Sequence, residues 1–362
     1  MSFLKKVISI RKPHAIVAAG VLALALAGAP QAGAAEKTVN LLETGSSLVY
    51  PLFNIWLADY AKIDPNVKIT TQSTGSGTGI SQSVAGLAQI GASDAYMSDT
   101  LMKQHPMLNI PLCISMQMVN YNLPGLNDKN IKLSGPVLAG IYSGKIRFWD
   151  DSAIKKLNPG VNLPHHEIIP VHRTDGSGDT FIFTQYLSFS TPTWSKGAGF
   201  GTTVSWPPVP GGLGAEGNPG MVAATKDNPY TVSYIGTSYQ DAIEKKKLGI
   251  AMLENRDGKF LLPSEKTAKA AAAALVSKTP ANECISLIFA PGPDSYPIIN
   301  YEYVMIRAKQ DSPQTAAALR SFLTWAISPK GGNASHFMQK VHFIALPAPI
   351  VRLSSQQIEK IK

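Results

Sequence analysis

Apolar positions along this chain recur in two alternating rhythms. Positions 48, 49, 52, 53, 56 and 60 follow the 3.6-residue period of a helix buried along one side. Ser46-Ser47 precedes them as a cap, and Pro51 falls in the first turn, where a missing N–H does no harm. Short strand-like runs flank this helix, Val39–Leu42 before it and Val67–Thr71 after it. The helical period returns over Ile80–Ala88, then Gln89–Ser93 forms a strand ending on Asp94, with a polar helix from Ser98. Further along lie strand Ile114–Tyr121, the loop Asn122–Gly125 and helix Val137–Tyr142. Strand Glu167–His172 turns into a helix from Phe181. The Gly- and Pro-rich stretch Thr202–Tyr230 is expected to be ordered surface loop. Ala268–Val276 is an Ala-rich helix and Ala290–Pro297 a connector; strand Ile298–Ile306 and helices near Pro313–Ala326 and Lys330–Gln339 complete the chain. Strands alternating with helices predict an α/β fold with parallel strands flanked by helices.

The first 34 residues stand apart. Lys5, Lys6, Arg11 and Lys12 precede an apolar run from Ala15 to Ala29, and Ala32-Gly33-Ala34 fits a signal-peptidase site. That run is shorter than the roughly 20 residues needed to span a bilayer. Residues 1–34 are therefore expected to be a signal peptide cleaved near Ala34, and the mature chain to be exported to the periplasm. Removing four basic residues from 33 leaves 29 against 24 acidic ones, a net of +5 rather than +9. Without a basic block interleaved with aromatics, nucleic acid is not an expected partner. Some 328 mature residues predict two domains. Cys113 and Cys284 sit in apolar stretches; an exported chain permits a disulfide between them, and two buried thiols are the alternative.

Arg173-Thr174-Asp175-Gly176-Ser177-Gly178-Asp179-Thr180 carries the clearest chemistry. A strand, a Gly/Ser turn and a helix start make an anion cradle, because the first helical N–H groups have no partners. Arg173 adds a planar fork of donors, and Asp175, two residues on and on the same face, can hold that fork in place. Two further hydroxyl-bearing turns, Ser46-Ser47-Leu48 and Gly75-Ser76-Gly77, also precede helices. Three such N-termini, each with a dipole worth roughly 0.3–1 kcal/mol where exposed, can converge on one anion.

Asp94 stands against that pattern. A carboxylate beside a bound anion repels it unless the ligand still carries a proton to donate. Protonated phosphate does so, and sulfate at neutral pH does not. An acceptor left unpaired rejects the ligand lacking the donor.

Six segments in this order, Thr44–Trp56, Thr74–Gly79, Gly91–Ala95, Asn122–Gly125, Gly144–Asp150 and Arg173–Phe183, resemble the phosphate-binding proteins of high-affinity phosphate ABC transporters. The resemblance runs from about residue 38 to the end. It implies a two-lobed type II periplasmic-binding fold, each lobe a mixed sheet flanked by helices, with two hinge crossings near 111–116 and 290–298. The lobes are expected at 35–113 plus 298–362 and at 114–297. The phosphate contacts it implies are Ser47, the Leu48 N–H, Ser76, Asp94, Arg173, Ser177, Gly178 and Asp179, with Asp175 as the orienting partner of Arg173. Leu48 replaces a family aromatic. Asp179 stands where many relatives carry a hydroxyl residue, and an ionised carboxylate cannot donate; it either faces the ligand or turns to its own helix start. The implied partners are inorganic phosphate and a permease–ATPase complex in the inner membrane, with the binder a monomer and no cofactor.

Two alternatives come from other chemistry. His165, His166, Glu167 and His172 are close in sequence but match no spaced metal motif, so no metal is expected. An exported phosphatase requires an activated nucleophile, and no Gly-x-Ser-x-Gly elbow or phosphate-loop Lys is present. A binder of sulfate or molybdate is the rival among oxyanions, and Asp94 argues against both.

Overall fold

The computed structural model describes residues 38–362, so the expected signal peptide at 1–34 lies outside the described residues. Twelve strands occur there: β1 (Val39–Gly45), β2 (Val67–Ser73), β3 (Ile90–Ser93), β4 (Met107–Asn122), β5 (Lys132–Leu133), β6 (Ile169–Arg173), β7 (Leu213–Ala215), β8 (Thr231–Gly236), β9 (Gly249–Ile250), β10 (Met252–Glu254), β11 (Phe260–Leu261) and β12 (Ile299–Arg307). The main sheet runs β2-β1-β3-β12-β4-β8-β6-β7, with β9 paired to β4, and a small sheet runs β11-β10-β5. β1 is parallel to β2 and β3, and β6 is parallel to β7 and β8. β12 and β8 run antiparallel to β4. The architecture is the mixed α/β fold expected of the chain.

β4 is the shared strand. Its first part, Met107–Met116, pairs with β12, and its second, Gln117–Asn122, pairs with β8. Every residue from Met107 to Tyr121 is buried, so this strand carries no alternation of polar and apolar positions. Pro111 within it has no N–H, and the ladder with β12 slips there: Glu302 faces Cys113, Tyr303 faces Pro111, and Leu112 is the extra residue of a bulge.

Helix Tyr50–Ile63 buries Leu52, Phe53, Trp56 and Tyr60, and Trp56 Nε1 donates to the Gly332 carbonyl at 2.8 Å. Three predicted helices differ at their ends, and one helix was not predicted. The helix expected over Ile80–Ala88 spans Ser76–Ala85 and stops at Gly86, which takes φ 75°. The helix after the anion turn runs Gly178–Ser190, so Gly178 opens it. The final helical region is Ser335–Lys340, and the chain ends on one more helix, Ala348–Ile358, opened by Pro347.

One expectation is corrected, and of the two alternatives for the cysteines the structure has free thiols. Thr202–Tyr230 is not all loop: it holds β7 and helix Gly217–Asp227, whose Asn218, Met221, Val222 and Thr225 are buried at helical spacing. Cys113 and Cys284 form no disulfide. The Cys284 thiol donates to the Met97 carbonyl at 3.2 Å and accepts from the Asn109 amide at 2.7 Å. Asn109 lies four residues along β4 from Cys113, about 13 Å at the rise of a strand, whereas a disulfide needs Cα atoms within about 7 Å.

Candidate functional site

Strands β1, β2 and β3 run parallel and end on Gly45, Ser73 and Ser93, β6 runs the opposite way in the sheet and ends on Arg173, and the turns that follow all four meet beyond their carboxyl ends. That edge is where open α/β sheets take ligands. The turns touch directly: Gly77 N–H donates to the Gly176 carbonyl at 2.8 Å. Backbone approach this close requires glycine. A Cβ on Gly77 would stand 3.2 Å from Gly176 Cα, and one on Gly178 would stand 2.3 Å from Asp94 Oδ2 and 2.5 Å from Ser76 Oγ.

Asp94 is 1% exposed. Ser46 Oγ donates to its Oδ1, Ser76 Oγ donates to its Oδ2 at 3.4 Å, and its own N–H donates to Ser76 Oγ at 3.2 Å. Ser46 Oγ also closes the turn before helix Tyr50–Ile63, accepting from Leu48 N–H at 3.1 Å and Val49 N–H at 3.2 Å. The Leu48 N–H, expected to reach a ligand, is thus directed at Ser46. Ser47 turns instead to Asn218, accepting from its backbone N–H at 3.1 Å and its Nδ2 at 3.0 Å. Ser177 caps its own helix, accepting from Thr180 N–H at 3.1 Å.

Arg173 is held on two sides. Its Nε donates to Asp175 Oδ1 at 2.7 Å and its Nη2 to Asp175 Oδ2, while its Nη1 donates to Asp179 Oδ2 at 2.8 Å. Asp175 thus meets the edge of the guanidinium with both carboxylate oxygens. Three of five guanidinium protons are used, which leaves one on each terminal nitrogen for another acceptor. Tyr234 locks the strand end to the helix start: its hydroxyl accepts from Arg173 N–H at 2.9 Å and pairs with Thr180 Oγ1 at 2.7 Å.

Asp179 does not turn away to its helix start. Besides Arg173, its Oδ2 accepts from Asn218 Nδ2 at 2.7 Å and its Oδ1 from Gln117 Nε2 at 3.1 Å. Burial, helped by the Asp94 charge, pushes its carboxyl up to about 7 despite the Arg173 pair. Burial also raises Asp94, against hydrogen bonds that favour its charge. Burial likewise pushes Asp175 upward, but the Arg173 bonds and charge outweigh it and hold this carboxyl below the usual range. Arg173 stays charged throughout, because its two carboxylates more than offset its burial.

Sequence reasoning missed Asn218, Gln117 and Glu302. Asn218 comes from the stretch expected to be loop. Gln117 and Glu302 come from β4 and β12, buried strands that also carry Asn109, Ser115, Asn120 and Asn300, so a polar side chain in them did not by itself mark the site. The histidines disperse: His165 stacks on Phe148, His166 on Tyr230 and His172 on Trp206. Among the described residues, no group of three or more His, Cys, Asp or Glu could hold a metal ion.

The model of the PBP superfamily domain matches residues 30–330. Phosphate-binding protein PstS of Methanocaldococcus jannaschii is 37% identical, over 90% of this chain and 88% of its own length. Its counterpart in Pasteurella multocida is 35% identical over 85% of this chain and 86% of its own length. The solved structure of a phosphate-binding protein from Stenotrophomonas maltophilia superposes with a TM-score of 0.66 at 18% identity, covering 88% of this chain and 93% of that one. Fold, ordered motifs and identity over nearly the whole length agree: the chain belongs to the PstS family within the PBP superfamily.

Proposed function

We propose that this chain is an exported receptor that captures one inorganic phosphate between two lobes and delivers it to an ABC permease and its ATPase. The observation that carries the reading is Asp94, a buried acceptor set among hydroxyls opposite the start of helix Gly178–Ser190. Only an oxyanion that still bears a proton satisfies both Asp94 and Arg173. Relatives named as phosphate-binding proteins over almost the full length support the same ligand.

In this reading Ser47 donates its O–H while still accepting from Asn218, the Leu48 N–H exchanges Ser46 for the ligand, Ser76, Ser177 and the Gly178 N–H complete the surround of the phosphate, Asp94 accepts its O–H, and Arg173 donates to its oxygens. Asp175 and Asp179 act through Arg173, orienting it and setting its charge. The lobes are 35–113 with 298–362, and 114–297. The change of β4 partner between Met116 and Gln117 supports a crossing within 111–116. Direct bonds between the two parts, such as Ser238 Oγ to the Leu48 carbonyl at 2.7 Å, are of the kind that hold a closed form. The receptor acts in the periplasm as a monomer after cleavage near Ala34, and it binds without turnover.

Calorimetry on the mature chain tests this. One phosphate per chain is expected, with sulfate far weaker and no phosphate released from a chromogenic ester. Equal affinities for the two anions overturn it.

A further inference from the structure

Glu302 is buried in the middle of β12 and belongs to none of the roles assigned above. Its Oε1 accepts from Ser115 Oγ at 2.5 Å, and its Oε2 has no donor. The carboxyl lies within hydrogen-bond reach of the Asp94 carboxyl. The neighbouring Asn300, on the same face of the strand, donates to the Asp94 carbonyl. The bulge at Pro111 falls between Glu302 and Tyr303, where the register slips by one residue and re-aims the side chains that follow.

Two ionised carboxylates cannot face each other in a buried site; one of the pair must hold a proton. Around Glu302 stand Asp94 after β3, Ser115 and Cys113 on β4, and Asp179 on the helix opposite. Asp94 has three reasons to keep its charge: Ser46, Ser76 and the field of Arg173. Glu302 has Ser115 alone, with Asp94 and Asp179 both opposing its ionisation.

We propose that Glu302 is a positioning and specificity residue of the anion site: as a neutral acid it donates its O–H to Asp94, which keeps Asp94 ionised and acceptor-only toward a ligand O–H. This rests on the phosphate-receptor reading and deepens it. Remove the donor, and buried Asp94 takes up the proton itself. A protonated Asp94 then donates, and a fully ionised oxyanion becomes as acceptable as phosphate. Glu302 thus acts on the choice between anions without touching either one.

The test compares mature wild type with Glu302→Gln and Glu302→Leu by titration with phosphate and with sulfate at pH 7. Glu302→Leu is expected to lose about tenfold or more in phosphate affinity, the loss of one charge-assisted bond, and to narrow the phosphate–sulfate ratio. Glu302→Gln, whose amide donates as the acid does, is expected to restore most of both. The infrared difference spectrum between wild type and Glu302→Gln is expected to contain the carbonyl band of a protonated carboxylic acid. Taking the difference removes any contribution from Glu43 and Glu283, buried carboxyls also pushed up to about 8. Melting curves establish that each variant is folded. If Glu302→Leu folds and keeps the wild-type ratio, or the band is missing, the proposal is overturned. If wild type itself binds no phosphate, the receptor reading has failed instead.

Discussion

Arg173 Nη1 donates to Asp179 Oδ2 across 2.8 Å, and both side chains are only 1% exposed. A pair buried this deeply costs desolvation on both sides, and attraction alone does not repay it without further bonds. Here Asn218 and Gln117 supply them on the Asp179 side and Asp175 on the Arg173 side. Even so, burial and the nearby Asp94 charge push the Asp179 carboxyl up to about 7, well above its usual range.

That shift ties stability to pH. Between the ordinary Asp value and about 7 the folded chain binds a proton that the unfolded chain has released. The contribution of Asp179 is therefore fully present only below the ordinary Asp value and is lost progressively as pH rises to about 7. Thermal melting of the unliganded mature protein is expected to show stability falling across this window, and Asp179→Asn, which keeps the shape and removes the titration, is expected to flatten that fall. A variant that melts with the wild-type pH profile excludes Asp179 as its source.

The same proton bears on the ligand. When Asp179 is neutral, Arg173 has one carboxylate fewer to satisfy and presents more of its charge to an anion. Phosphate affinity is thus expected to rise as pH falls from about 8 to about 6, and Asp179→Thr to weaken that dependence. Calorimetry over this range decides. An affinity that rises with pH in the wild type contradicts the coupling.

The parts of this site that could be read from sequence are those written in local order. Arg173 and Asp175 lie two apart at a strand end, so their shared face followed from the pleat. Asp94 was legible as the polar end of a short apolar strand, and its place in the site came from the resemblance of Gly91–Ala95. Asn218 was not, because Gly217 and Pro219 beside it carry the signature of a turn, and the period of Met221, Val222 and Thr225 is only two helical turns long. Glu302 needs two facts that sequence does not hold: that β12 lies between β3 and β4, and that the ladder slips at Pro111. The exact start of helix Gly178–Ser190 was hidden for a similar reason, since its first residues are chosen by contact with Ser76 and Asp94 rather than by helix preference.

Discrimination between oxyanions is expected to reside in Asp94. Wild type is expected to bind phosphate at least about a hundredfold tighter than sulfate, because a fully ionised ligand leaves this buried acceptor unpaired. Asp94→Asn offers an amide that both accepts and donates, so the gap is expected to shrink. Side-by-side titrations of both anions with both proteins measure it, and an unchanged ratio removes Asp94 from the selectivity.

Arg173→Lys is expected to weaken phosphate binding by about ten- to hundredfold, the loss of a bond worth about 1.5–3 kcal/mol. An ammonium keeps the charge but cannot hold two carboxylates and still direct donors in one plane at a ligand. A drop of less than about threefold, below the range of such a bond, places Arg173 outside the binding contacts.

Gly178→Ala tests closure itself. A Cβ at this position would lie 2.3 Å from Asp94 Oδ2 and 2.5 Å from Ser76 Oγ, and the carboxylate and hydroxyl it meets are both held by other bonds. The methyl cannot be absorbed by a flexible side chain end, so the turn after β6 must stand off from the turns after β2 and β3. Within its own helix alanine is favourable at this position, since Gly178 opens helix Gly178–Ser190 without a left-handed φ. The unliganded variant is therefore expected to melt within a few degrees of wild type, while phosphate affinity falls by about tenfold or more, the scale of one charge-assisted bond to a ligand. Solution scattering separates the causes. Wild type is expected to shrink in radius of gyration on saturation with phosphate, and Gly178→Ala, at saturating ligand, to stay nearer its unliganded value. A variant that binds and contracts like wild type means that closure does not bring Gly178 against Asp94, and the shared contact between the two parts lies elsewhere.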